Sequence, residues 1–259
     1  MTRRMLRIGL LAVLAAPLVV PQVWAEGKPV RITRTNNQVV EGVSITADDQ
    51  GNLIVVPEAG GRGAITIKAG DYIKVVSPEP QAVGALQAAL EQGQIDRVIA
   101  AAPEAWQKNR FLGWGDEIAY FWGMSLLAKG DPAKAKEAFQ KGMQPPADRK
   151  DQWLLRRGLI SSYLAMKQFP QAEKELDSLD AKDPEAAAVV WHTRARLLAE
   201  QGKKREAVLQ ELKVLLMFPE AKDLNLRRES YLTVIKLLKE LGDKRAGDFE
   251  KQMLEEFRQ

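Results

Sequence analysis

From Gln81 onward the sequence can be laid over itself with a spacing near the mid-thirties, and this repeat restricts the fold more than any other feature. The repeated turns carry glycine at four positions and lysine at one, in the order Gly93, Gly130, Lys167, Gly202 and Gly242. Ala172 is followed twelve residues later by Pro184, and Ala207 twelve residues later by Pro219. Because a proline ends the helix before it, the pattern predicts stacked helical hairpins.

The clearest unit, residues 116–147, shows what each hairpin contains. Gly123 lies on its first helix, Lys129–Pro132 forms the turn, and Ala135 and Phe139 lie on the second helix. The unit resembles the tetratricopeptide repeat (TPR), in which small residues let paired helices approach and a large residue fills the gap beside them. The resemblance implies an all-α superhelix of about five antiparallel hairpins over residues 79–259. The alternative is an irregular helical bundle.

Two positions depart from the repeat pattern. Ile160 stands where the second unit should have a small residue, and Glu211 replaces an aromatic residue in the third. We expect these units to pack less regularly.

Residues 26–78 have the pattern of short strands. Val, Ile and Thr are abundant and mostly alternate with polar residues in five segments. The segments are Val30–Thr33, Val39–Thr46, Asn52–Val56, Ala64–Lys68 and Tyr72–Val76. Turn residues such as Gly60–Gly63 separate them. Because so short a sheet must close on itself to hide its edges, the pattern predicts a small five-stranded β-barrel. The fold class is therefore α+β multidomain, with the boundary near Pro78 and Pro80.

The order of these segments resembles the Sm-like barrel. Val40–Val43 corresponds to its bent second strand, Asp48–Leu53 to a tight turn and Ile67–Ile73 to its closing segment. Lys68 replaces the arginine of the family's closing motif, Ala69 interrupts that motif, and the leading helix is missing. An SH3-like barrel would give nearly the same pattern. The resemblance implies the shape, and we do not carry over RNA binding.

The first 25 residues resemble an export signal of a bacterial protein. Arg3, Arg4 and Arg7 precede an apolar stretch from Ile8 to Val20, and cleavage is expected after Ala25. The stretch is shorter than the roughly 20 residues of a membrane span, and an uncleaved anchor is the alternative. The paired arginines partly resemble a twin-arginine signal, although the general secretory route is favoured because nothing here calls for a cofactor. The expected location is periplasmic or secreted.

Charge and composition restrict the partners. The chain has 38 Lys and Arg residues, three of which lie in the signal. The remaining basic residues are nearly balanced by the 34 Asp and Glu residues. A near-neutral mature chain does not indicate a nucleic-acid partner, and no membrane span is expected in it. Cysteine is absent, so neither disulfides nor a lipid-modified cysteine can form.

The TPR resemblance implies a concave groove lined by the first helix of each hairpin, which would bind a peptide or protein. In this register the groove residues are Gln87, Tyr120, Met124, Arg157, Ser161, His192, Arg196 and Tyr231. Arg157 and Arg196 would suit an acidic partner, because a guanidinium can hold a carboxylate in two hydrogen bonds. Solvated or ion-paired arginines are the alternative.

Other chemistry-bearing residues are interpreted structurally. His192 is the single histidine and has no carboxylate nearby in sequence at ligand spacing, so it indicates packing or a groove position and no metal site. The tryptophans indicate core positions, although Trp114, flanked by glycines, could stack on a sugar. The adjacent acids Asp48–Asp49 and Asp116–Glu117 fit a turn and a helix start. No catalytic motif is present, and we expect no cofactor and no enzymatic activity.

The sequence thus supports a non-catalytic interaction scaffold of the cell envelope, whose barrel could dock or oligomerise. The alternative is a binder of glycan or cell-wall polymer that uses the barrel and the tryptophan-bearing loops. A carboxylate-based hydrolase is the weakest of the three hypotheses.

Overall fold

The structure is a computed structural model that describes residues 29–57, 63–144, 152–179, 184–217 and 224–257. The described strands are β1 (Val30–Arg34), β2 (Val39–Gly42), β3 (Ser44–Ala47), β4 (Leu53–Val56), β5 (Ile65–Ile67) and β6 (Tyr72–Val76). The helices are α1 (Gln81–Glu91), α2 (Ile95–Asn109), α3 (Gly115–Ala128), α4 (Pro132–Gly142), α5 (Gln152–Ala165), α6 (Phe169–Asp177), α7 (Pro184–Glu200), α8 (Lys204–Met217), α9 (Leu224–Glu240) and α10 (Ala246–Glu256). The predicted α+β layout is confirmed. The predicted signal and its cleavage site lie outside the described residues.

The helices pair consecutively into five antiparallel hairpins, α1/α2 through α9/α10, as the repeat predicts. Each second helix from α2 to α8 packs against its own first helix and against the first helix of the next hairpin. The first helices also contact one another in series, α1 with α3, α3 with α5, α5 with α7 and α7 with α9. We call these five first helices the inner layer.

The five hairpin turns share one backbone geometry. Their turn residues, Gly93, Gly130, Lys167, Gly202 and Gly242, have φ between 57° and 82°. In every turn the N–H of this residue donates to the carbonyl three positions earlier and the next N–H to the carbonyl five positions earlier, at 2.8–3.0 Å. This hydrogen-bond pattern is typical of helix C-termini at which the chain adopts the left-handed backbone conformation, and that conformation favours glycine. Lys167 adopts it with φ 57°, so its predicted place in the series is confirmed.

Phe139 on α4 holds three helices together. Its side chain is fully buried, and its ring lies between the backbones of α3 and α5. A Cβ atom built on Gly123 would lie 2.4 Å from the ring, and one built on Gly158 would lie 2.3 Å from it. The small residue of the second unit is therefore Gly158, and the prediction of an irregularity at Ile160 is wrong. Ile160 is buried against the next hairpin, in a cluster that includes Leu197.

The strands form two antiparallel three-stranded sheets, ordered β2-β1-β6 and β3-β4-β5. The predicted strand Val39–Thr46 is wrong as a single element, because the chain turns at Val43 from one sheet into the other. Gly42 permits this bend, since a Cβ atom there would lie 2.5 Å from the side chain of Val55. Both sheets cover one apolar core that includes Ile32 and Leu53. The described strands thus form two sheets, and the predicted single five-stranded barrel is corrected accordingly.

The loop between α2 and α3 fastens the helices to the strands. Leu112 is buried in the core of the two sheets, with Phe111 packed beside it. The Ser77 hydroxyl donates to the Leu112 carbonyl at 2.8 Å. Gly113 has φ 89°, and a Cβ atom there would lie 2.3 Å from the Val75 carbonyl oxygen. The predicted boundary lies between the end of β6 and the start of α1. The two regions are nevertheless joined, because a loop of the helical region completes the core of the strand region.

A salt bridge ties α10 to α9 at the end of the array. The Arg227 side chain is 6% exposed, and its Nε and Nη2 donate to the two carboxylate oxygens of Glu256 at 2.6 and 3.0 Å. The Tyr231 hydroxyl donates to the same carboxylate at 2.9 Å. The hydrogen bond from Arg227 lowers the pKa of Glu256 below its usual 4.5, and the bond from Tyr231 acts in the same direction.

Replacing Glu256 with glutamine should therefore lower the free energy of unfolding by about 1–2 kcal/mol at pH 7. Because the folded-state pKa of Glu256 is depressed, its contribution is present above pH 4.5 and lost as the pH falls through the lowered value. Denaturant unfolding at pH 7 and pH 3 should show the difference between wild type and Glu256→Gln shrinking on acidification. The exposed neighbour Glu255 offers a control, Glu255→Gln, which should leave the curve unchanged. A difference independent of pH would contradict this account.

Candidate functional site

All eight predicted groove residues lie on the inner layer, but the structure divides them by exposure. The exposed ones are Gln87, Met124 and Arg196, and the half-buried ones are Tyr120, Arg157 and Ser161. His192 and Tyr231 are only 4% and 7% exposed. These two predictions are corrected: both side chains pack inside the array and do not line an open surface. Whether the other six bind a partner stays a prediction.

The arginines of the middle hairpins have separate roles. Arg156 on α5 pairs with Glu175 at 2.8 Å, and Arg194 on α7 pairs with Asp177 at 2.8 Å, so both are anchored to the second helix α6. Arg157 lies over the Trp153 ring, with its guanidinium carbon 5.2 Å from the ring centroid. This stacking stiffens the side chain.

His192 is buried beside a carboxyl group that sequence spacing did not reveal. Its Nδ1 lies 2.9 and 3.1 Å from the two carboxylate oxygens of Glu211, whose side chain is fully buried on α8. Its Nε2 lies 3.5 Å from Glu229 on α9. A proton on Nδ1 lets the imidazole donate to the Glu211 oxygens. The pair replaces the aromatic residue of the repeat pattern. Within the described ranges, no group of three His, Asp or Glu side chains is arranged to hold a metal ion.

A cavity of about 480 Å³ lies where the strands meet the helices. Its walls come from β6, the loop after α2, and the facing ends of α2 to α5. Its aromatic lining comprises Trp106, Phe111, Trp114, Tyr120 and Phe121, and its charged lining comprises Lys74, Arg110, Asp116, Glu117 and Lys141. We call it the junction cavity. Of the predicted groove residues, only Tyr120 contributes to it.

The Trp114 indole is fixed at the edge of this cavity. Its Nε1–H donates to the Ser77 hydroxyl at 3.0 Å, and that hydroxyl in turn donates to Leu112. The ring is half-buried, so the side chain has a structural role at the contact between strands and helices. The glycines that flank Trp114 were the only sequence signal that pointed to a site here.

The first pair of adjacent acids has the structural role that sequence predicted. Asp48 accepts hydrogen bonds from the backbone N–H groups of Gln50 and Asn52, each at 2.9 Å. The side-chain hydrogen bond from Asn52 is the main reason that the pKa of Asp48 is lowered. This carboxylate is a turn residue.

In the part of the chain that the structure describes, no helix combines the length and the apolarity needed to cross a membrane.

Comparisons with known proteins agree with this geometry. Residues 126–197 match the tetratricopeptide repeat family. No curated protein matches the chain. Among solved structures, Bacillus thuringiensis PlcR, in complex with the peptide PapR7 and DNA, is similar at 14% identity and TM-score 0.52, with 67% of each chain covered.

Two further solved structures are similar to this chain. A putative kinesin light chain of Podosopora anserina, with nearly identical TPR-like repeats, has 14% identity and TM-score 0.52, covering 69% of this chain and 95% of that one. MamA of Desulfovibrio magneticus has 16% identity and TM-score 0.48, covering 68% and 95%. At these identities the likeness to PlcR and the kinesin light chain establishes the fold of the helical region and nothing further.

Proposed function

We propose that this protein is a non-catalytic interaction scaffold of the bacterial cell envelope, whose inner layer binds a peptide or protein. The observation that carries the proposal is the continuous series of first-helix contacts from α1 to α9. Such stacks create extended surfaces along the repeat axis. The known peptide complex of PlcR, a protein of similar fold, supports a peptide-binding role.

An acidic partner fits the charges of the inner layer. Arg196 is exposed, and Arg157 is stacked on Trp153. The neighbouring Arg156 and Arg194 are anchored to α6 by carboxylate partners. The envelope location rests on the apolar stretch and basic start of the first 25 residues.

Reversing both charges with Arg157→Glu plus Arg196→Glu should weaken binding of the partner at least tenfold, because charge-assisted hydrogen bonds would become repulsions. The partner would be captured from envelope extract, identified, purified and titrated by calorimetry. A matched control, Lys203→Glu plus Arg205→Glu, changes the net charge equally at an exposed turn outside the inner layer. Equal losses in both variants, or none in the first, would overturn the inner-layer proposal.

The second candidate function is recognition of glycan or cell-wall polymer, favoured by the aromatic walls of the junction cavity. It predicts binding of solubilised polymer that Arg157→Glu plus Arg196→Glu leaves unchanged. Docking or oligomerisation through the strand region is also proposed, because several apolar side chains of its strands are exposed, including Val39, Ile54 and Ile73.

A further inference from the structure

We propose that the junction cavity binds an organic anion in which a carboxylate is attached to an apolar or aromatic group. This site shares only Tyr120 with the predicted groove and involves neither Arg157 nor Arg196. The proposal rests on unpaired cations, buried donors without acceptors, and apolar walls of suitable size.

Two cations flank Trp106 in the cavity wall. The Arg110 guanidinium carbon lies 5.0 Å from a Trp106 ring centroid, and the Lys141 Nζ lies 5.6 Å from one. Lys141 also lies 5.1 Å from the Trp122 ring. Neither cation forms an ion pair with any carboxylate in the described ranges, whereas the acids of the same wall, Asp116 and Glu117, have interactions of their own. The cavity therefore presents positive charge that the described protein does not neutralise.

Hydrogen-bond donors in the same wall lack acceptors. The indole Nε1–H of Trp106, a residue that is 7% exposed, has no acceptor among the described residues. The Nε–H of Arg110 is also buried without an acceptor there, although its Nη2 donates to the Asp49 carbonyl at 3.0 Å. A buried donor without an acceptor destabilises the folded protein. A bound carboxylate would accept from these groups and balance the two cations.

The remaining walls determine what carries the carboxylate. Trp114, Tyr120, Phe121 and Leu155 are apolar or aromatic and also line the cavity. A volume of about 480 Å³ falls within the range of small-ligand sites, roughly 300–1,000 Å³. The occupant is thus an aromatic or branched apolar group bearing one carboxylate. A free organic acid and the C-terminal residue of a peptide share this chemistry.

Calorimetric titration of the purified protein with 3-phenylpropionate and with its neutral amide tests the proposal. We expect the acid to bind saturably and the amide at least tenfold more weakly. Lys141→Gln should weaken binding of the acid about tenfold, whereas Lys136→Gln, on the same helix but outside the cavity, should not. Gln144 is an exposed residue of the cavity lining. Gln144→Glu should also weaken binding of the acid, because the new carboxylate would repel the carboxylate of the ligand. Unchanged melting temperatures would show that the variants are folded.

The peptide Gly-Gly-Phe and its C-terminal amide distinguish the two sources of the carboxylate. Tighter binding of the peptide acid than of 3-phenylpropionate supports a chain end, and the reverse supports a free organic acid. The proposal is overturned if no acid binds at millimolar concentration, if acid and amide bind equally, or if Lys141→Gln and Gln144→Glu both bind like wild type. Arg157→Glu plus Arg196→Glu should leave this binding intact, which separates it from the inner-layer function.

Discussion

Phe139→Ala should lower the free energy of unfolding by about 3–5 kcal/mol, the largest loss expected from any single apolar truncation in the array. The Phe139 ring is fully buried, and it lies against backbone at both Gly123 and Gly158. The backbones of α3 and α5 cannot move in to fill the space without disturbing both hairpins, so a cavity would remain. Chemical denaturation followed by circular dichroism measures the loss.

Two further variants test whether the loss depends on the packing of the Phe139 ring against the two glycines. Leu216→Ala removes a large side chain that is 75% exposed and should change stability by no more than about 0.5 kcal/mol. Gly158→Ala adds a methyl group that would lie only 2.3 Å from the Phe139 ring. This overpacking should lower the free energy of unfolding by about 1–3 kcal/mol. If Phe139→Ala cost no more than Leu216→Ala, the ring would not be the contact that joins the hairpins.

His192→Ala should lower the free energy of unfolding by about 3–5 kcal/mol, because it leaves the buried Glu211 carboxyl without its partner. The Glu211 side chain is fully buried, and Val208 and Leu215 on the same helix belong to an apolar cluster. Unfolding at pH 7 measures the loss.

A double-mutant cycle separates the loss of the pair from the loss of packing. Glu211→Leu plus His192→Leu replaces both polar groups with apolar ones of similar size and should cost less than His192→Ala alone. Glu211→Gln retains an acceptor for Nδ1–H and should be milder than Glu211→Ala. Additive effects of His192→Leu and Glu211→Leu would show that the two side chains do not depend on each other.

The helical array was predictable because its determinants are local. Turn positions, a small residue in one helix and a large one in the next recur at a fixed spacing, and Lys167 fills the place of glycine at the cost of a left-handed backbone. The prediction at Ile160 was wrong because the small residue of this unit lies two positions earlier, at Gly158. Gly158 meets the Phe139 ring across a helix interface, and only packing shows which small residue faces that ring.

The candidate site was less predictable. Repeat register placed all eight predicted groove residues on the first helices, but it could not tell exposed Arg196 from buried His192 on the same helix. Burial depends on what packs over a helix. Here that is α8, which brings Glu211 against His192 from 19 positions away. A charged residue at an aromatic position of the repeat is the sequence signal that points to Glu211.

The hairpin repeat was determined by sequence alone, because hairpin periodicity and left-handed turn residues act within one or two helices. The positions of most strands likewise followed from alternation and turn residues. Only the tertiary structure decided how these parts join. The loop from Arg110 to Trp114 completes the strand core, and the junction cavity forms where that loop meets β6 and α3. Such contacts unite segments more than thirty positions apart, and their energy depends on shapes and buried polar groups that no local pattern records.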